Sequence, residues 1–174
     1  MATFSWPTVQ DALIDAVKAA IPSATVVWST QGNTPPLPPK PCAVLNITVR
    51  DMQAGLRGSD EVQPTAIAGQ IAVHAHRRHV VTVTVYSNTT HGANHAAALL
   101  SGLSRELRRE ARVLALRTAG CKVWPTSDVQ DVSALLDTRG ESRANCDLTV
   151  ATLDSATETV GWIETVDLTG IDAT

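Results

Sequence analysis

The histidines are the side chains of this sequence best suited to bind a metal ion. Three of the five lie within residues 74–79, and His91 and His95 are four positions apart. Two histidines at that spacing on a helix can share a zinc ion. Gly92 interrupts this pair, however, and no glutamate follows His91 as in the H-E-x-x-H motif. The sequence therefore predicts no metal site and no cofactor.

Motifs for nucleophilic catalysis and for phosphate binding are also missing. The sequence contains no Gly-x-Ser-x-Gly turn of the kind that exposes a hydrolase serine, and no glycine-rich loop that cradles a phosphate. Cys42, Cys121 and Cys146 are widely spaced and form no C-x-x-C pair, which argues against a zinc ribbon and a disulfide framework. We interpret them as reduced core residues, and we predict that the protein is not an enzyme.

A run of arginines is the most concentrated charge in the chain. Arg105, Arg108 and Arg109 alternate with Glu106 and Glu110, which are spaced to pair with them along a helix. Such a pattern is typical of a solvated helix face, and it also suits a subunit interface because guanidinium groups bind carboxylates of a neighbour in a fixed geometry. The interleaved acids and the net charge of −3 argue against a nucleic-acid-binding surface.

The elements that must position these side chains follow from the hydrophobic periodicity. Helical spacing of apolar residues predicts one helix over residues 9–21, which Ser5 or Thr8 can cap, and a long helix from Ala96. A shorter helical piece, 113–119, should end at Gly120. Strands are predicted at 24–29, 42–49, 70–86 and 121–124, and in a hairpin of 146–150 with 160–168. The predicted fold class is α+β, a mostly antiparallel β-sheet packed by two main helices.

Three of these segments need a more specific interpretation. Residues 70–86 are either a hairpin or one strand; because 76–79 lack the Gly or Asn of a tight turn, we predict one strand whose polar middle extends beyond the core. Residues 127–136 are predicted to be a loop with one helical turn. Residues 154–158 have the length of a hairpin connector.

Two further segments stand apart from this pattern. Five of the nine prolines lie between positions 35 and 41; since proline fixes φ and removes a backbone donor, residues 31–41 are predicted to form a stiff, extended arm. Residues 50–69 show no period and are predicted to be a long loop, which is either functional or disordered. The arm is either a rigid surface connector between two strands or a docking segment, because a stiff segment loses little entropy on docking.

Length and composition set the outer limits. A chain of 174 residues with 44% hydrophobic content predicts a single globular domain over 1–174. No signal peptide and no apolar run of the ~20 residues that a membrane span needs are evident. We therefore expect no membrane partner and assembly in a reducing cytoplasm.

Three stretches together carry a resemblance to a known family. Residues 26–41 combine an apolar strand, Trp28, Gln31, Asn33 and the proline-rich arm. The apolar strand ending in Tyr86 precedes a long helix, and residues 141–150 precede 159–168. This order resembles phage neck and tail terminator proteins, also called tail-completion proteins, over about residues 26–168.

The resemblance implies a structural function. Proteins of this family form a ring, expected to contain six copies, that caps the head-proximal end of the tail tube, ends its polymerisation and joins the tail to the neck. The implied partners are the tail tube protein, a neck or head-closure protein and, in a contractile tail, the sheath protein; genomic DNA passes through the lumen, and the protein belongs to the virion. The candidate interface residues are Gln31, Asn33, Pro35, Pro36, Pro38, Pro39, Met52, Leu56, Arg57, Arg105, Arg108 and Arg109. The alternatives are another neck ring, such as a head-closure protein, and a small monomeric ligand-binding α+β domain.

Overall fold

The chain folds as a single sheet with helices packed against it. The computed structural model describes residues 5–29, 37–53, 61–65, 70–88, 92, 94–125, 127–136 and 139–159. The helices are α1 (Trp6–Ala20), α2 (Ala96–Leu107) and α3 (Glu110–Thr118). The strands are β1 (Thr25–Trp28), β2 (Cys42–Gln53), β3 (Glu61–Pro64), β4 (Gln70–Ser87), β5 (Cys121–Pro125), β6 (Gln130–Asp131), β7 (Ala134–Leu136) and β8 (Arg139–Thr159). The α+β fold class is confirmed, with α1 and α2 as the two main helices.

The sheet is mostly antiparallel. Its main path runs β1-β2-β4-β8-β5, while β3 pairs with β4, and β6 and β7 pair with β8. Among the described strands, only the short β1 lies parallel to its neighbour, β2. Strands β4 and β8 are paired without interruption from Gln70 opposite Thr159 to Ser87 opposite Ser142. This long pair forms the centre of the sheet. Each of the other described strands pairs with β4 or β8, except β1, which pairs with β2.

The three helices pack into one hydrophobic core on one face of the sheet. Helix α1 contributes its stripe of Val9, Leu13, Ala16 and Val17, and α2 contributes a second stripe. Helix α3 buries only Leu116. Because alternate residues of a strand face opposite sides, β4 and β8 each supply every second side chain to this core. No helix within the described ranges is long and apolar enough to cross a bilayer.

The core covers only half of the β4–β8 pair. Val81, Val83 and Val85 of β4 belong to it, as do their partners on β8. Residues 70–78 and their partners 151–159 lie outside the core cluster, and we call this part the ribbon. The prediction that residues 70–86 form one strand is thus confirmed, but the part beyond the core is the whole first half of β4 rather than its polar middle, of which His79 is buried.

The prediction that residues 154–158 connect the two strands of a hairpin is wrong. Residues 154–158 continue β8 because β4 offers them an unbroken partner strand as far as Gln70. Residues 160–168, the other predicted strand, lie outside the described residues.

Two predicted loops also contain strands. In 50–69, β2 continues to Gln53 and β3 pairs with the ribbon part of β4, so backbone pairing overrides the lack of a side-chain period. In 127–136 the predicted helical turn is absent; β6 and β7 pair with β8 instead. Helix α3 begins at Glu110 rather than at Val113 and is followed by Gly120, whose φ of +81° needs no strain in a glycine.

The side-chain alternation of β2 reverses at an irregularity. Ala43, Leu45 and Ile47 are buried, but Val49 is 37% exposed. The pairing shifts between Ile47, opposite Val81, and Val49, opposite Val80, so the extra residue turns Val49 to the other face.

Two serines on neighbouring strands hold the start of α2. Ser142 is fully buried, and its Oγ accepts a hydrogen bond from the backbone N–H of Ala96 at 2.9 Å. Ser87, its partner across β4 and β8, donates from Oγ to the backbone oxygen of Asn94 at 2.7 Å. His95 occupies the N-cap position without a side-chain cap bond, so Ser142 provides the cap from a distant strand.

Candidate functional site

The clustered histidines do not converge on a metal ion. His76 is exposed, whereas His79 points to the other side of β4 and is 4% exposed. The His79 ring lies 5.0 Å from the Trp6 ring, and its Nε2 is 3.2 Å from Thr152 Oγ1. Within the described ranges, no three His, Cys, Asp or Glu side chains are placed to share a metal. His91 lies outside those ranges.

His95, Asp131 and Ser133 have the composition of a catalytic triad but a different geometry, and sequence reasoning did not single them out. Ser133 Oγ donates to Asp131 Oδ1 at 2.5 Å and is 3.5 Å from His95 Nε2. The same Nε2 contacts Asp131 Oδ2 at 3.4 Å. In a catalytic triad the aspartate instead accepts a hydrogen bond from one ring nitrogen of the histidine. The serine hydroxyl then bonds to the other ring nitrogen and not to the aspartate.

The contacts among these three side chains are structural rather than catalytic. The side-chain and backbone hydrogen bonds from Ser133, helped by His95, hold the pKa of Asp131 below its ordinary value. The carboxylate therefore stays ionised and keeps the serine proton engaged. The trio joins β6 to the beginning of α2.

The three cysteines are buried free thiols, as the sequence predicts. Burial raises the pKa of Cys121 to about 11, and burial together with Asp147 raises that of Cys146 to about 12. Burial, with a smaller contribution from Glu141, also raises the pKa of Cys42 against the opposing charge of Lys40. Thiols that remain protonated are poor nucleophiles and poor metal ligands.

The described part of the arm, residues 37–41, is fastened to the sheet. Lys40 Nζ lies 2.8 Å from Glu141 Oε1, and the backbone oxygen of Pro41 accepts a hydrogen bond from Thr25. Leu37 is 49% exposed. Pro39 is also exposed and Pro38 is half-buried, while residues 31–36 lie outside the described residues. This end of the arm is therefore a surface segment anchored at its base.

A cleft of about 300 Å³ lies between this base and the junction of β4 with α2. Its described lining combines Lys40 and Pro41 with hydroxyl and amide side chains and with Leu99, and it includes no carboxylate and no histidine. The one cation is already paired with Glu141. The described lining of the cleft therefore offers no acid and base that could transfer protons.

The arginines predicted at an interface are exposed around the α2–α3 junction. Arg105, Arg108 and Arg109 form the arginine surface; the side chain of Arg109 is 71% exposed and its Nη1 lies 3.1 Å from Glu106 Oε2. Glu106 is mostly buried and also contacts Arg112 at 3.7 Å. Arg105 and Arg108 form no ion pair with any residue in the described ranges, so their charges face solvent.

Of the remaining predicted interface residues, the structure describes only Met52, which lies beside the ribbon. Met52 belongs to the end of β2, where its backbone pairs with Arg78. Leu56 and Arg57 lie outside the described residues, as do Gln31, Asn33, Pro35 and Pro36. The candidate residues thus belong to several separate surfaces, a distribution that suits contacts with several neighbours better than a single binding pocket.

A family model decides between these interpretations. The model of the phage neck terminator proteins matches residues 11–174, nearly the whole chain. The chain belongs to the phage neck terminator family. The resemblance inferred from residues 26–168 is therefore confirmed.

Solved structures of tail-like machines show the same fold. The sheath/tube terminator of the extracellular contractile injection system PVC matches 100% of this chain with a TM-score of 0.60 and 14% identity. The tube terminating cap of the anti-feeding prophage matches 98% of the chain with a TM-score of 0.52 and 14% identity. The chain spans 66% and 61% of the length of these two proteins. No curated protein matches the chain by sequence.

Family membership also fixes the class of function. This neck terminator family member is a structural protein, not an enzyme, and a component of the phage tail and neck. The alternative of a small ligand-binding domain finds no support in the family assignment.

Proposed function

We propose that this neck terminator forms a closed ring of six copies on the head-proximal end of the tail tube. The ring ends tube polymerisation and joins the tail to a neck or head-closure protein, and to the sheath protein if the tail is contractile. The observation that carries this proposal is the family match over residues 11–174. The fold shared with two proteins described as tube terminators supports it.

The distribution of exposed features also suits a ring. A ring requires two different surfaces on each subunit, which meet head to tail and close by rotation. The base of the arm, residues 37–41, and the cleft lie at one end of the β4–β8 pair, beside Ser87, and the ribbon forms the other end. We propose that these two ends, with the arginine surface, contact the copies and the rings on either side.

The near-neutral charge fits a passive lumen. With a net charge of −3, the chain lacks the excess of Lys and Arg that supplies most of the affinity of proteins for DNA. A ring that DNA must pass through works best without such affinity. Assembly in the host cytoplasm is consistent with three cysteines that remain free thiols.

The test is tube growth with and without the protein. Tail tube protein of the same phage would be polymerised in vitro, and tube lengths measured by negative-stain electron microscopy after the terminator is added at increasing ratios. We expect shorter tubes, each with a density of six-fold symmetry at one end. Tubes of unchanged length without an end density would refute the function.

A matched variant addresses the arm. Replacing Pro35, Pro36, Pro38 and Pro39 with Ser removes the stiffness of the arm while keeping its length. We expect ring formation to weaken more than the folding of the single chain, measured as ring mass by light scattering beside the melting temperature. An unchanged ring mass with a lowered melting temperature would mean that the arm is only a surface connector.

A further inference from the structure

Strand β5 leaves one edge of the sheet open. It is the last strand on the main path, and its only partner among the described strands is β8. Its free edge carries backbone donors and acceptors, which form a template for a further strand. Recognition by strand addition takes its affinity from such backbone bonds and its specificity from pockets for alternate side chains.

Helix α3, which contacts β5, carries one exposed large apolar side chain. Leu114 is 63% exposed, more than any other large apolar side chain in the described ranges. A notch of about 60 Å³ between α3 and β5 is lined by Val113, Leu116, Cys121 and Val123 together with two cations. A side chain entering the notch would lie on the helix-covered side of the sheet.

The two cations at the notch are Arg117 and Lys122. Both are exposed, and the ammonium group of Lys122 lies 5.8 Å from the centre of the Trp124 ring. No carboxylate lines the notch within the described ranges; the nearest acid on α3 is Glu110, at the opposite end of the helix. The edge therefore favours a strand that alternates apolar and acidic side chains.

Residues 160–168 of this chain have that composition. Their sequence, Val-Gly-Trp-Ile-Glu-Thr-Val-Asp-Leu, contains two acids and no Lys, Arg or His. On one side of an extended strand they would present Trp162, Val166 and Leu168, with Glu164 as the only charge among them. Arg117, on the helix side of the β5 edge, is a cation that can pair with Glu164.

The direction of β8 favours a second copy as the donor of this strand. The described part of β8 reaches Thr159, and β5 begins opposite Thr152. A tight reversal after Thr159 would place residues 160–168 beside 153–159, in line with β5 rather than along its free edge. Nine extended residues span up to about 30 Å, enough to reach a neighbouring subunit.

We propose that residues 160–168 of one copy add as a strand to the free edge of β5 in the next copy. The apolar side of the donor strand packs on Leu114 and in the notch, and Glu164 pairs with Arg117. Donor and acceptor are different surfaces, as a ring closed by rotation requires. This inference rests on the proposed ring and specifies how its subunits hold each other.

Disulfide trapping between singly substituted chains tests the contact. Chains carrying Leu114→Cys would be mixed with chains carrying Val166→Cys, oxidised, and separated on a denaturing gel without reductant. The native thiols, being buried, do not compete. We expect a two-chain product in the mixture and, from the doubly substituted chain, a ladder up to the number of copies in the ring. The control pairs Asp11→Cys, exposed on α1, with Val166→Cys and should give no product.

Each outcome decides a separate point. A disulfide formed only within the doubly substituted single chain would overturn the exchange between copies. Rings seen by light scattering without any disulfide would overturn the strand addition and leave the ring itself intact. Chains that remain monomeric at every concentration, and also when tail tube is present, would refute the ring.

A charge exchange gives an independent measurement. Arg117→Glu should raise the dissociation constant of the assembly about fivefold, and combining it with Glu164→Arg should restore the original value. A double variant no better than Arg117→Glu alone would contradict the pairing.

Discussion

At the scale of single residues, the thiols show how burial controls reactivity. Cys121 and Cys146 are 4% and 5% exposed, and their pKa values are raised to about 11 and about 12 from an ordinary value of 9.0. The folded chain therefore keeps protons that the unfolded chain releases near pH 9. A group that binds its proton more tightly in the folded state stabilises the fold less as the pH rises.

This difference predicts a loss of stability in alkali. Between pH 9 and 11 each of these thiols should lower the free energy of unfolding by up to about 1.4 kcal/mol per pH unit. Urea unfolding at pH 8, 9 and 10 measures how the free energy of unfolding changes with pH. Cys146→Ala should reduce this slope by the contribution of one thiol. An identical slope in the variant would contradict the assignment.

At the scale of elements, the beginning of α2 depends on residues far away in the sequence. Ser142 caps the helix across 46 positions, and Ser87 holds Asn94 from the neighbouring strand. The cap therefore forms only when β8 has paired with β4. Helix and sheet are coupled at this point rather than stabilised separately.

We predict that Ser142→Ala destabilises the protein by about 1–2 kcal/mol, because it leaves the buried N–H of Ala96 without its acceptor. Ser101→Ala is the matched control: Ser101 is exposed and bonds only within its own helix. That change should stay within about 0.5 kcal/mol. Chemical denaturation of both variants gives the comparison, and equal losses would show that Ser142 is not a cap.

Which elements the sequence could predict depends on how local their causes are. The long strand β4 was predictable because residues 76–79 contain no turn-forming residue, and α2 because its apolar stripe repeats at helical spacing. The straight course of β8 through 154–158 was not, since its partner on β4 lies about 80 positions earlier in the chain. The cap by Ser142 was not predictable either, because Ser142 lies far from α2 in the sequence.

The candidate site was predictable in composition but not in arrangement. Exposed arginines and a stiff arm can be inferred from residue types, and both are at the surface where described. The edge of β5 and the notch between α3 and β5 depend on strand order, which the sequence pattern does not reveal. The trio of His95, Asp131 and Ser133 likewise requires β6 to pair with β8.

At the scale of the whole molecule, charge is distributed unevenly. The chain carries a net charge of −3, yet Arg105, Arg108 and Arg109 project together from the α2–α3 junction. Without these three arginines the chain has 11 Lys and Arg against 17 Asp and Glu, a net charge of −6. A subunit with opposite charges on different surfaces is attracted to copies of itself in one relative orientation, and added salt weakens that attraction.

We predict that Arg108→Glu weakens assembly several-fold while leaving the melting temperature within about 2 °C of the original. Lys18→Glu makes the same change of charge at an exposed position on α1 and should alter assembly little. Light scattering over a concentration series at low and moderate salt measures both variants. Equal effects would mean that only net charge matters and would exclude a specific role for the arginine surface.

The long pairing of β4 with β8 also has a consequence for biosynthesis. The nearest partners on the two strands, Ser87 and Ser142, are 55 positions apart, with α2 and α3 between them. A nascent chain therefore displays the whole of β4 with one edge unsatisfied until the ribosome has added nearly all of β8. Chains cut short before Arg139 would expose that valine-rich edge, and we expect them to collect in insoluble aggregates, whereas full-length chains escape by completing the sheet.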